Sequence, residues 1–560
     1  MITQPASAGA TTVQSERVFG WRDLAIFALL TGLNVAAGLE FVQYWFSLHG
    51  WDVNPVASGT LRVIVLFAWL NHLARWISLP LMRRPRPLPI RTQRRVAVVT
   101  TFVPGAEPIA MLEHTVRALV ALDQPHDTWV LDEGDDADVR ALCARLGARH
   151  FSRRGMPQYL TEGGRFRRGT KYGNYNAWFD RTGFEDYDII TTFDPDHVPE
   201  RHYLTRVLGY FEDPRIGYVQ AAQVYHNQEE SLIARGAAEE TYGYYSSVQM
   251  AAYALGYPVV IGCHNSHRVD ALRGVGGFPQ HDAEDLLLTM HYRAAGWEGV
   301  YVPEVLARGL APVDWAGYLQ QQRRWSRSVL DIKLHGPPLL RRLPLSSRIA
   351  GVLHGFNYLS RSFSIAALLA LAAVLLLSGY TPRLFETGSL ERLALWLGAI
   401  GLCELYRQRF YLQPQFERGT HWRTMILQFA KWPSFLFAFA EVLIRRRVDY
   451  SITPKARSPG RAIALFWPQL AASVVLSIAW LIGRLLGANL PLALELIPAV
   501  PALAAVGLTL AESATGPRTA NSGVSAAATA AAAGPGGGGA VKERPGPDTD
   551  ALKSTTTGEP

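Results

Sequence analysis

The chain has 560 residues, of which 49% are hydrophobic and 18% are charged, and its formal net charge is +8. Its basic residues cluster in 83–95 and 445–461 beside apolar stretches, which is typical of cytoplasmic loops of membrane proteins and argues against nucleic-acid binding. The cysteines, Cys143, Cys263 and Cys403, are isolated from one another, which argues against a disulfide framework or a zinc site.

The N-terminal part of the chain is predicted to cross a membrane twice. After residues 1–15, which are small and polar and predicted to be disordered, the region 16–90 holds two apolar segments, 24–46 and 61–81. Each segment is long enough to span a bilayer, which takes about 20 residues, and the first lacks the pattern of a cleaved signal peptide. The loop between them has no Lys or Arg and a basic stretch follows the second, so the next domain is predicted to be cytoplasmic.

Residues 91–345 are predicted to form one soluble domain. Helical patterns, as at 109–122, alternate with apolar runs typical of buried strands, which lie at 95–103, 128–133, 188–194 and 216–224. This alternation predicts a parallel, doubly wound sheet. Ligands of such sheets bind beyond the carboxyl ends of the strands, which is where Asp132, Asp194 and Asp196 fall.

The C-terminal part, 346–512, is predicted to add four spans. Their apolar segments lie at 357–378, 391–406, 463–486 and 489–511. Between them, the segment at about 418–447 contains Lys431, Pro433 and Glu441, and as a span it would place a basic flank outside, so we predict an interfacial helix. Both termini are then cytoplasmic, and the low-complexity tail 513–560 is assigned no fold.

Asp194 and Asp196 form a D-x-D motif at the end of an apolar run. The motif places two hard oxygen ligands within reach of one divalent cation, and Mg²⁺ typically takes one or two carboxylates together with substrate phosphates. A polar turn at a strand end is the simpler interpretation of a lone D-x-D. Because Asp132 ends a neighbouring predicted strand, we favour a site for a cation and a diphosphate.

A second acidic group, Asp282, Glu284 and Asp285, precedes an apolar helical pattern. Negative charges are favoured near a helix N-terminus, and this alone explains their position. A carboxylate at the mouth of a nucleotide-sugar site can also serve as the general base that takes the proton of an attacking hydroxyl. The two interpretations are compatible.

The run QQQRRW ends in Arg324 and Trp325. The planar guanidinium of Arg324 suits a diphosphate, and the indole of Trp325 offers a flat apolar face to a sugar ring. An Arg-Trp pair just before membrane segments is also typical of an interfacial anchor. Function and anchoring both stay open for this pair when it is considered alone.

In their order along the chain, these motifs resemble those of processive family-2 glycosyltransferases of the cellulose synthase type. The resemblance extends over 95–456 and is carried by VLDEG (130–134), KYGNYN (171–176), FDPDHVP (193–199), GGF (276–278), AED (283–285), QQRRW (321–325) and YSITPK (450–455). It implies an α/β GT-A (Rossmann-like) cytoplasmic glycosyltransferase domain inserted between α-helical transmembrane segments. YSITPK resembles the gating loop of the family, here expected at 448–460, with Tyr450 for Phe and Ile452 for Val.

The resemblance also implies a role for each motif residue. Asp285 is expected to be the catalytic base. Contacts to the nucleotide and donor sugar are expected from Asp132, Lys171, Asp194, Arg324, Thr453 and Lys455. The metal, Mg²⁺ or Mn²⁺, is expected to be held by Asp194, Asp196 and His197. Contacts to the acceptor are expected from Gln321, Trp325, Glu284, Cys263 and His264.

The segment 262–268 departs from the family pattern. Cellulose synthases have a C-G-S-type sequence before GGF, whereas this chain reads Gly262-Cys263-His264-Asn265-Ser266-His267-Arg268. In the family this region borders the terminal sugar of the acceptor, so the sugar and the linkage stay open. The Ala283 that replaces Thr of the usual T-E-D is a small change beside the retained acid pair.

The sequence therefore predicts a membrane-embedded, processive, inverting hexosyltransferase that extends a β-linked polysaccharide, preferably a glucan, from a UDP-sugar and exports it through its own channel. Products with N-acetylglucosamine or with β-1,3 or mixed linkages stay open, as do single transfer to a lipid and a non-catalytic subunit. Its predicted partners are the UDP-sugar donor, the growing polysaccharide and the lipid bilayer, with an accessory export subunit left open. The predicted location is the plasma or inner cell membrane.

Overall fold

The computed structural model of the protein describes residues 11–47, 54–381, 387–446 and 462–513. The strands in these ranges are β1 (Ser15–Arg17), β2 (Arg83–Pro85), β3 (Val96–Phe102), β4 (Asp127–Asp132), β5 (Arg149–Phe151), β6 (Ile189–Phe193), β7 (Val198–Pro199), β8 (Ile216–Tyr225), β9 (Asn265–Arg268) and β10 (Glu298–Gly309). All except β1 and β2 belong to a single sheet.

The helices fall into two groups. Those between and directly after the strands of the large sheet are α3 (Ile109–Val120), α4 (Ala137–Leu146), α5 (Lys171–Trp178), α6 (Phe184–Asp186), α7 (Tyr203–Val207), α8 (Leu232–Gly243), α9 (Gln249–Ala254), α10 (Val269–Gly274), α11 (Glu284–Ala294), α12 (Trp315–His335) and α13 (Leu345–Leu353). The flanking helices are α1 (Trp21–Ser47), α2 (Pro55–Ile77), α14 (Phe356–Ser378), α15 (Thr387–Arg407), α16 (Pro414–Glu417), α17 (Trp422–Leu443), α18 (Ala462–Leu465), α19 (Trp467–Leu485), α20 (Leu492–Glu495) and α21 (Ala499–Ser513). An α/β domain between two sets of apolar helices is the predicted fold class, which is thus confirmed.

The large sheet is mixed, with the strand order β5-β4-β3-β6-β9-β8-β10-β7. Strands β3 to β6 run parallel to their neighbours in that group, and β8 is parallel to β10. By contrast, β9 is antiparallel to both β6 and β8, and β7 is antiparallel to β10. The prediction of an all-parallel sheet is therefore wrong. It failed because β9 is a four-residue strand with the polar sequence NSHR, which has no apolar run to reveal it.

The antiparallel direction of β9 matters for the position of the segment 262–268. In an antiparallel pair, the start of one strand lies beside the end of the other. Asn265 at the start of β9 is paired with Thr192 near the end of β6, and the N–H of His264 donates to the Thr192 carbonyl over 3.0 Å. The residues before β9 are therefore held next to Asp194, which follows β6.

Both faces of the sheet are covered, as expected for a doubly wound domain. Alternate residues of β3 belong to different cores, with Ala97 and Val99 on one face and Val96 and Val98 on the other. The first core is completed by aromatic side chains of α5, and the second by side chains of α7. Because both faces of the sheet are covered, ligands can approach it at the ends of its strands.

The N-terminal residues differ from the prediction for 1–15. The Val13 N–H donates to Asp213 Oδ2 over 2.9 Å, and β1 pairs antiparallel with β2. Residues 13–15 of this segment therefore have defined partners, in Asp213 of the α/β domain and in 85–86. Their small, polar composition concealed this, because a backbone N–H needs only an acceptor and not an apolar side chain.

Five helices among the described residues are long and apolar enough to cross a bilayer: α1, α2 with the short turn after it (Pro55–Leu81), α14, α17 and α19. The predicted span 391–406 lies in α15, which has Glu391, Arg392 and Glu404 near its ends. The predicted span 489–511 is divided between α20, of 4 residues, and α21, of 15 residues. The helix predicted to be interfacial is α17. Its buried Lys431 is neutralised by Glu240, with 2.6 Å between Nζ and Oε1. Which helices cross the membrane stays a prediction.

Candidate active site

The carboxyl ends of β3, β4 and β6 meet at one edge of the sheet, because the three strands are parallel neighbours. Asp132 is the last residue of β4, and Asp194 directly follows β6. A substrate placed beyond this edge therefore meets both carboxylates, as is general for open α/β sheets.

Asp132 is fully buried and organises the turn after β4. Its Oδ1 accepts from the N–H of Gly134 over 2.9 Å and its Oδ2 from the N–H of Asp136 over 2.6 Å. The Nε2 atom of His150 lies 3.1 Å from the same Oδ2. The predicted contact between Asp132 and the uridine stays a prediction, but the carboxylate already shapes the loop that borders the site.

Arg153 supports the same loop and was missed in the sequence, where it stands in an ordinary polar stretch. Its guanidinium is fully buried and pairs with both oxygens of Glu133, at 2.6 and 3.0 Å. It also donates to the carbonyls of Tyr159, Phe166 and Arg167 over 3.1 Å each. Through these hydrogen bonds, the Arg153 guanidinium holds the loop 157–167 against Glu133, which follows β4.

Arg153→Met should therefore destabilise the domain. Removing one partner of a buried ion pair leaves the other charge uncompensated, which typically costs about 3–5 kcal/mol, or about 6–20 °C in melting temperature for a domain of this size. The check is a thermal unfolding measurement on the full chain in detergent. Arg154→Met is the matched control, because Arg154 is exposed and its guanidinium donates to the Gly134 carbonyl over 2.7 Å, with no buried ion pair to it among the described residues. Equal melting temperatures for the two variants would contradict the assignment.

Lys171, the first residue of α5, lies at the centre of the site. Its Nζ donates to Asp194 Oδ1 over 2.6 Å and to the Gly262 carbonyl over 2.7 Å, and it is 3.8 Å from Glu284 Oε1. Burial lowers the pKa of Lys171, but the carboxylates of Asp194 and Glu284 raise it more, so the net pKa lies well above its usual value. The site therefore contains a fixed positive charge.

Asp285 is oriented by two backbone donors. The N–H of Gly262 donates to its Oδ2 and the N–H of Leu286 to its Oδ1, both over 2.7 Å. Gly262 thus accepts a hydrogen bond from Lys171 and donates one to Asp285. In this way the segment before β9 joins the residue after β6 to the N-terminus of α11, although these elements are far apart in the sequence.

The acid pair at the start of α11 is more basic than ordinary carboxyl groups. Burial raises the pKa of Glu284 and of Asp285, while the Lys171 ammonium acts in the opposite direction on both. For Asp285, the N–H groups of Leu286 and Gly262 also lower the pKa, but burial prevails. A carboxylate with a raised pKa is a better proton acceptor, which suits a general base.

The pH dependence of catalysis should follow from this arrangement. A general base works only when deprotonated, so activity should fall as the pH drops through the raised pKa of Asp285. Lys171→Met removes a charge that lowers this pKa, so the acid limb of the kcat profile should move to higher pH. The profile is measured at saturating donor, which separates this effect from weaker nucleotide binding. An unchanged or lower acid limb would contradict the role of Lys171, provided that thermal melting shows a folded variant.

Asp194, Asp196 and His197 could together hold a divalent cation. Each offers one ligand atom, and these atoms lie within 4.8 Å of one another. Asp194 is partly exposed, whereas Asp196 and His197 are buried. Two carboxylates, of which one faces the open side, fit a hard cation that retains positions for substrate phosphates. The donor set therefore fits the Mg²⁺ or Mn²⁺ expected from the sequence.

The Q-x-x-R-W residues lie on α12, which passes the N-terminus of α11. Arg327 Nη1 is 3.7 Å from Asp282 Oδ2, and Asp331 Oδ2 is 3.1 Å from His281 Nε2. Arg324 and Trp325 are within one turn of Arg327 on the same helix. Gln321 is buried, and Arg324 and Trp325 are partly exposed.

The remaining predicted site residues fall into two groups. Thr453 and Lys455 lie outside the described residues, so their roles as a closing loop stay predictions. Cys263 and His264, expected to contact the acceptor, are almost completely buried, with 2% and 0% exposed area. Their burial, on the turn that β9 holds against β6, favours a different contact, which is described below.

The region that contains this site is similar to known glycosyltransferases. Residues 96–328 match the family model described as glycosyltransferase like family 2. A cellulose synthase catalytic subunit of Xanthomonas axonopodis pv. citri is 26% identical over 357 residues, which cover 59% of this chain and 46% of that relative. A glucomannan 4-beta-mannosyltransferase of Cyamopsis tetragonoloba is 25% identical over 244 residues, which cover 42% of this chain and 46% of that relative.

Among solved structures, a mannosyltransferase from Pyrobaculum calidifontis in complex with GDP-Man and Mn²⁺ aligns with 70% of this chain and 99% of its own, at 16% identity and a TM-score of 0.47. The aligned part of the two sequence relatives is less than half of their length, 46% in each. The family match, however, extends from β3 to α12 and so includes the whole large sheet and the site. Residues 96–328 therefore match a family 2 glycosyltransferase domain over the whole mixed sheet, and they are similar in sequence to a protein named as a catalytic subunit of cellulose synthase.

Proposed function

We propose that this chain is a membrane-embedded, inverting glycosyltransferase that polymerises a β-linked polysaccharide from a UDP-sugar and exports it between its own helices. The observation that carries the proposal is the connected group of Lys171, Asp194, Gly262 and Asp285 at the strand ends. It combines a positive charge, a metal-binding carboxylate and a basic carboxylate within one site. These are the groups that displacement of a nucleoside diphosphate requires.

In the proposed reaction, Asp285 accepts the proton of an acceptor hydroxyl while the hydroxyl oxygen attacks the anomeric carbon of the donor sugar. The bond from that carbon to the diphosphate oxygen breaks, and its electron pair leaves with the diphosphate. Direct displacement inverts the anomeric carbon, so an α-linked donor gives a β-linked product. A divalent cation bound by Asp194, Asp196 and His197 would neutralise charge on the diphosphate. Arg324 is proposed to bind the same leaving group.

The arrangement of α12 supports processive extension with export. One face of α12 passes the acid pair, and the other packs against α17, where Tyr318 and Gln322 contact Lys431, at 3.0 and 3.2 Å from its Nζ. Arg323 pairs with Glu441 of α17 over 2.6 Å. A single rigid helix thus connects the catalytic domain to the apolar helices. Trp325 on this helix is proposed to stack on the acceptor sugar where the polymer enters the apolar helices. The catalytic domain is proposed to lie on the cytoplasmic side.

Glucose is the proposed donor sugar, because the motif layout is most like that of cellulose synthases. The similarity to a protein named glucomannan mannosyltransferase makes GDP-mannose a necessary comparison. Membranes containing the protein are incubated with labelled UDP-glucose, UDP-N-acetylglucosamine or GDP-mannose, and the product is digested with linkage-specific glycanases. Polymer from UDP-glucose that a β-glucanase degrades is the expected result. Polymer from another donor would overturn the sugar assignment while leaving the proposed reaction in place.

A further inference from the structure

The turn before β9 brings Cys263 and His264 against His197. The three side chains are buried, and each offers a ligand atom that lies within 4.8 Å of the other two. The rings of His197 and His264 meet edge to face with their centroids 4.8 Å apart. The cluster of His197, Cys263 and His264, here called the Cys-His cluster, adjoins the D-x-D motif because His197 belongs to both groups.

His264 has an unused nitrogen. Its Nδ1 is 3.2 Å from the carbonyl oxygen of Ala222 and donates to it, which leaves Nε2 with a free lone pair. Nε2 is buried and has no hydrogen-bond partner. A buried polar atom without a partner destabilises the fold, and a bound ion would remove this penalty.

The neighbouring His267 shows what a purely structural histidine of this strand looks like. Its Nε2 is 2.7 Å from Asn265 Oδ1, and its Nδ1 is 3.1 Å from the hydroxyl of Tyr292, so both nitrogens are satisfied. His264 differs in this respect, and its φ of 58° lies in the left-handed region that non-glycine residues rarely adopt. Such backbone strain persists mainly at functional sites.

We propose that His197, Cys263 and His264 form a binding site for a thiophilic divalent cation such as Zn²⁺. Thiolate and imidazole ligands select Zn²⁺ and similar ions, whereas Mg²⁺ prefers oxygen. The Ala222 carbonyl that holds the Nδ1 hydrogen of His264 is the type of outer partner that orients metal-binding imidazoles.

Because His197 belongs to both groups, a cation bound to the Cys-His cluster should affect sugar transfer. This inference rests on the proposed function. Nε2 of His197 is 2.9 Å from the Gln223 amide nitrogen, and a Cβ on Gly309 would lie 2.0 Å from it. That nitrogen is enclosed, so Nδ1, which is 3.1 Å from Asp196 Oδ1, is the atom of His197 left to bind an ion, and it can bind only one ion at a time. A cation held by Cys263 and His264 therefore withdraws His197 from Asp194 and Asp196. Zn²⁺ should inhibit sugar transfer, and raising Mg²⁺ or Mn²⁺ should relieve the inhibition.

The test is a Co²⁺ titration of the purified full chain. Binding is monitored by the thiolate-to-cobalt charge-transfer absorption in the near ultraviolet. The wild type should show this band, and Zn²⁺ should abolish it by displacing Co²⁺. The isosteric Cys263→Ser should lack the band, and His264→Asn should weaken Co²⁺ binding by at least about tenfold. Cys143→Ser is the matched control and should keep it, because Cys143 is also a buried free cysteine but lies on α4.

The outcomes separate the cation site from the catalytic proposal. Asp285→Asn, which should be inactive, is expected to retain the cobalt band. Absence of the band in the folded wild type, or its persistence in Cys263→Ser, would overturn the cation site whatever the activity shows. A cobalt band without Zn²⁺ inhibition of an active enzyme would keep the site but refute its competition with the D-x-D group.

Discussion

Asp285→Asn is expected to lower the rate of sugar transfer by about 10²–10⁴-fold, the range that a lost general base typically gives. The substitution keeps the size of the side chain, and the amide oxygen can still accept from Gly262 or Leu286. It removes the basic carboxylate, so the acceptor hydroxyl loses its proton acceptor. The measurement is kcat at saturating UDP-sugar, because donor binding does not require this carboxylate.

Asp282→Asn is the matched control for this prediction. Asp282 precedes α11 in the same acidic group, but it is partly exposed and pairs with Arg327 at 3.7 Å. Such a pair contributes about 1 kcal/mol or less, so kcat should stay within about fivefold of the wild type. Similar losses in both variants would indicate that the N-terminus of α11, and not the Asp285 carboxylate, is what the reaction needs.

Asp194→Asn is expected to weaken divalent-cation binding in the presence of UDP by more than about tenfold and to abolish measurable transfer. Asp194 is both a candidate metal ligand and the partner of the Lys171 ammonium, at 2.6 Å. A neutral amide is a poorer metal ligand, and it removes the carboxylate charge that lies 2.6 Å from the Lys171 ammonium. Calorimetric titration of the protein with Mn²⁺ and UDP measures the affinity directly.

Asp186→Asn is the control for that titration, because Asp186 is an exposed carboxylate just before the same strand, β6. It should leave both the cation affinity and the transfer rate unchanged. Unaltered Mn²⁺ affinity in Asp194→Asn would contradict the assignment of the D-x-D motif as the cation site.

The edge of the sheet that carries the site was predictable from the sequence. β4 and β6 are apolar runs that end in aspartates, and the parallel arrangement of neighbouring strands brings such ends together. The fold class followed from the alternation of these runs with helical patterns between apolar segments. Local signals of this kind need no knowledge of distant contacts.

The connection through Gly262 was not predictable in the same way. It depends on β9, whose polar NSHR sequence gives no strand signal. Because β9 is antiparallel to β6, the residues before β9, and not those after it, lie beside the end of β6. The Cys-His cluster was missed for the same reason. A search for metal ligands by cysteine spacing finds only residues that are close in sequence, whereas His197 and Cys263 are brought together by the pairing of β6 with β9. Arg153 was missed because its partners are backbone carbonyls of a loop, which leave no mark on the side-chain pattern.

Product length tests the central claim of a processive synthase most directly. Membranes containing the intact chain are supplied with radiolabelled UDP-glucose and Mg²⁺, and the label is followed in ethanol-insoluble and in lipid-extractable material, with Asp285→Asn as the blank. The account predicts insoluble, β-glucanase-sensitive polymer that only the intact enzyme makes. Label that enters only a lipid-extractable product, one sugar per acceptor, would contradict processive synthesis and identify a lipid-linked sugar transferase.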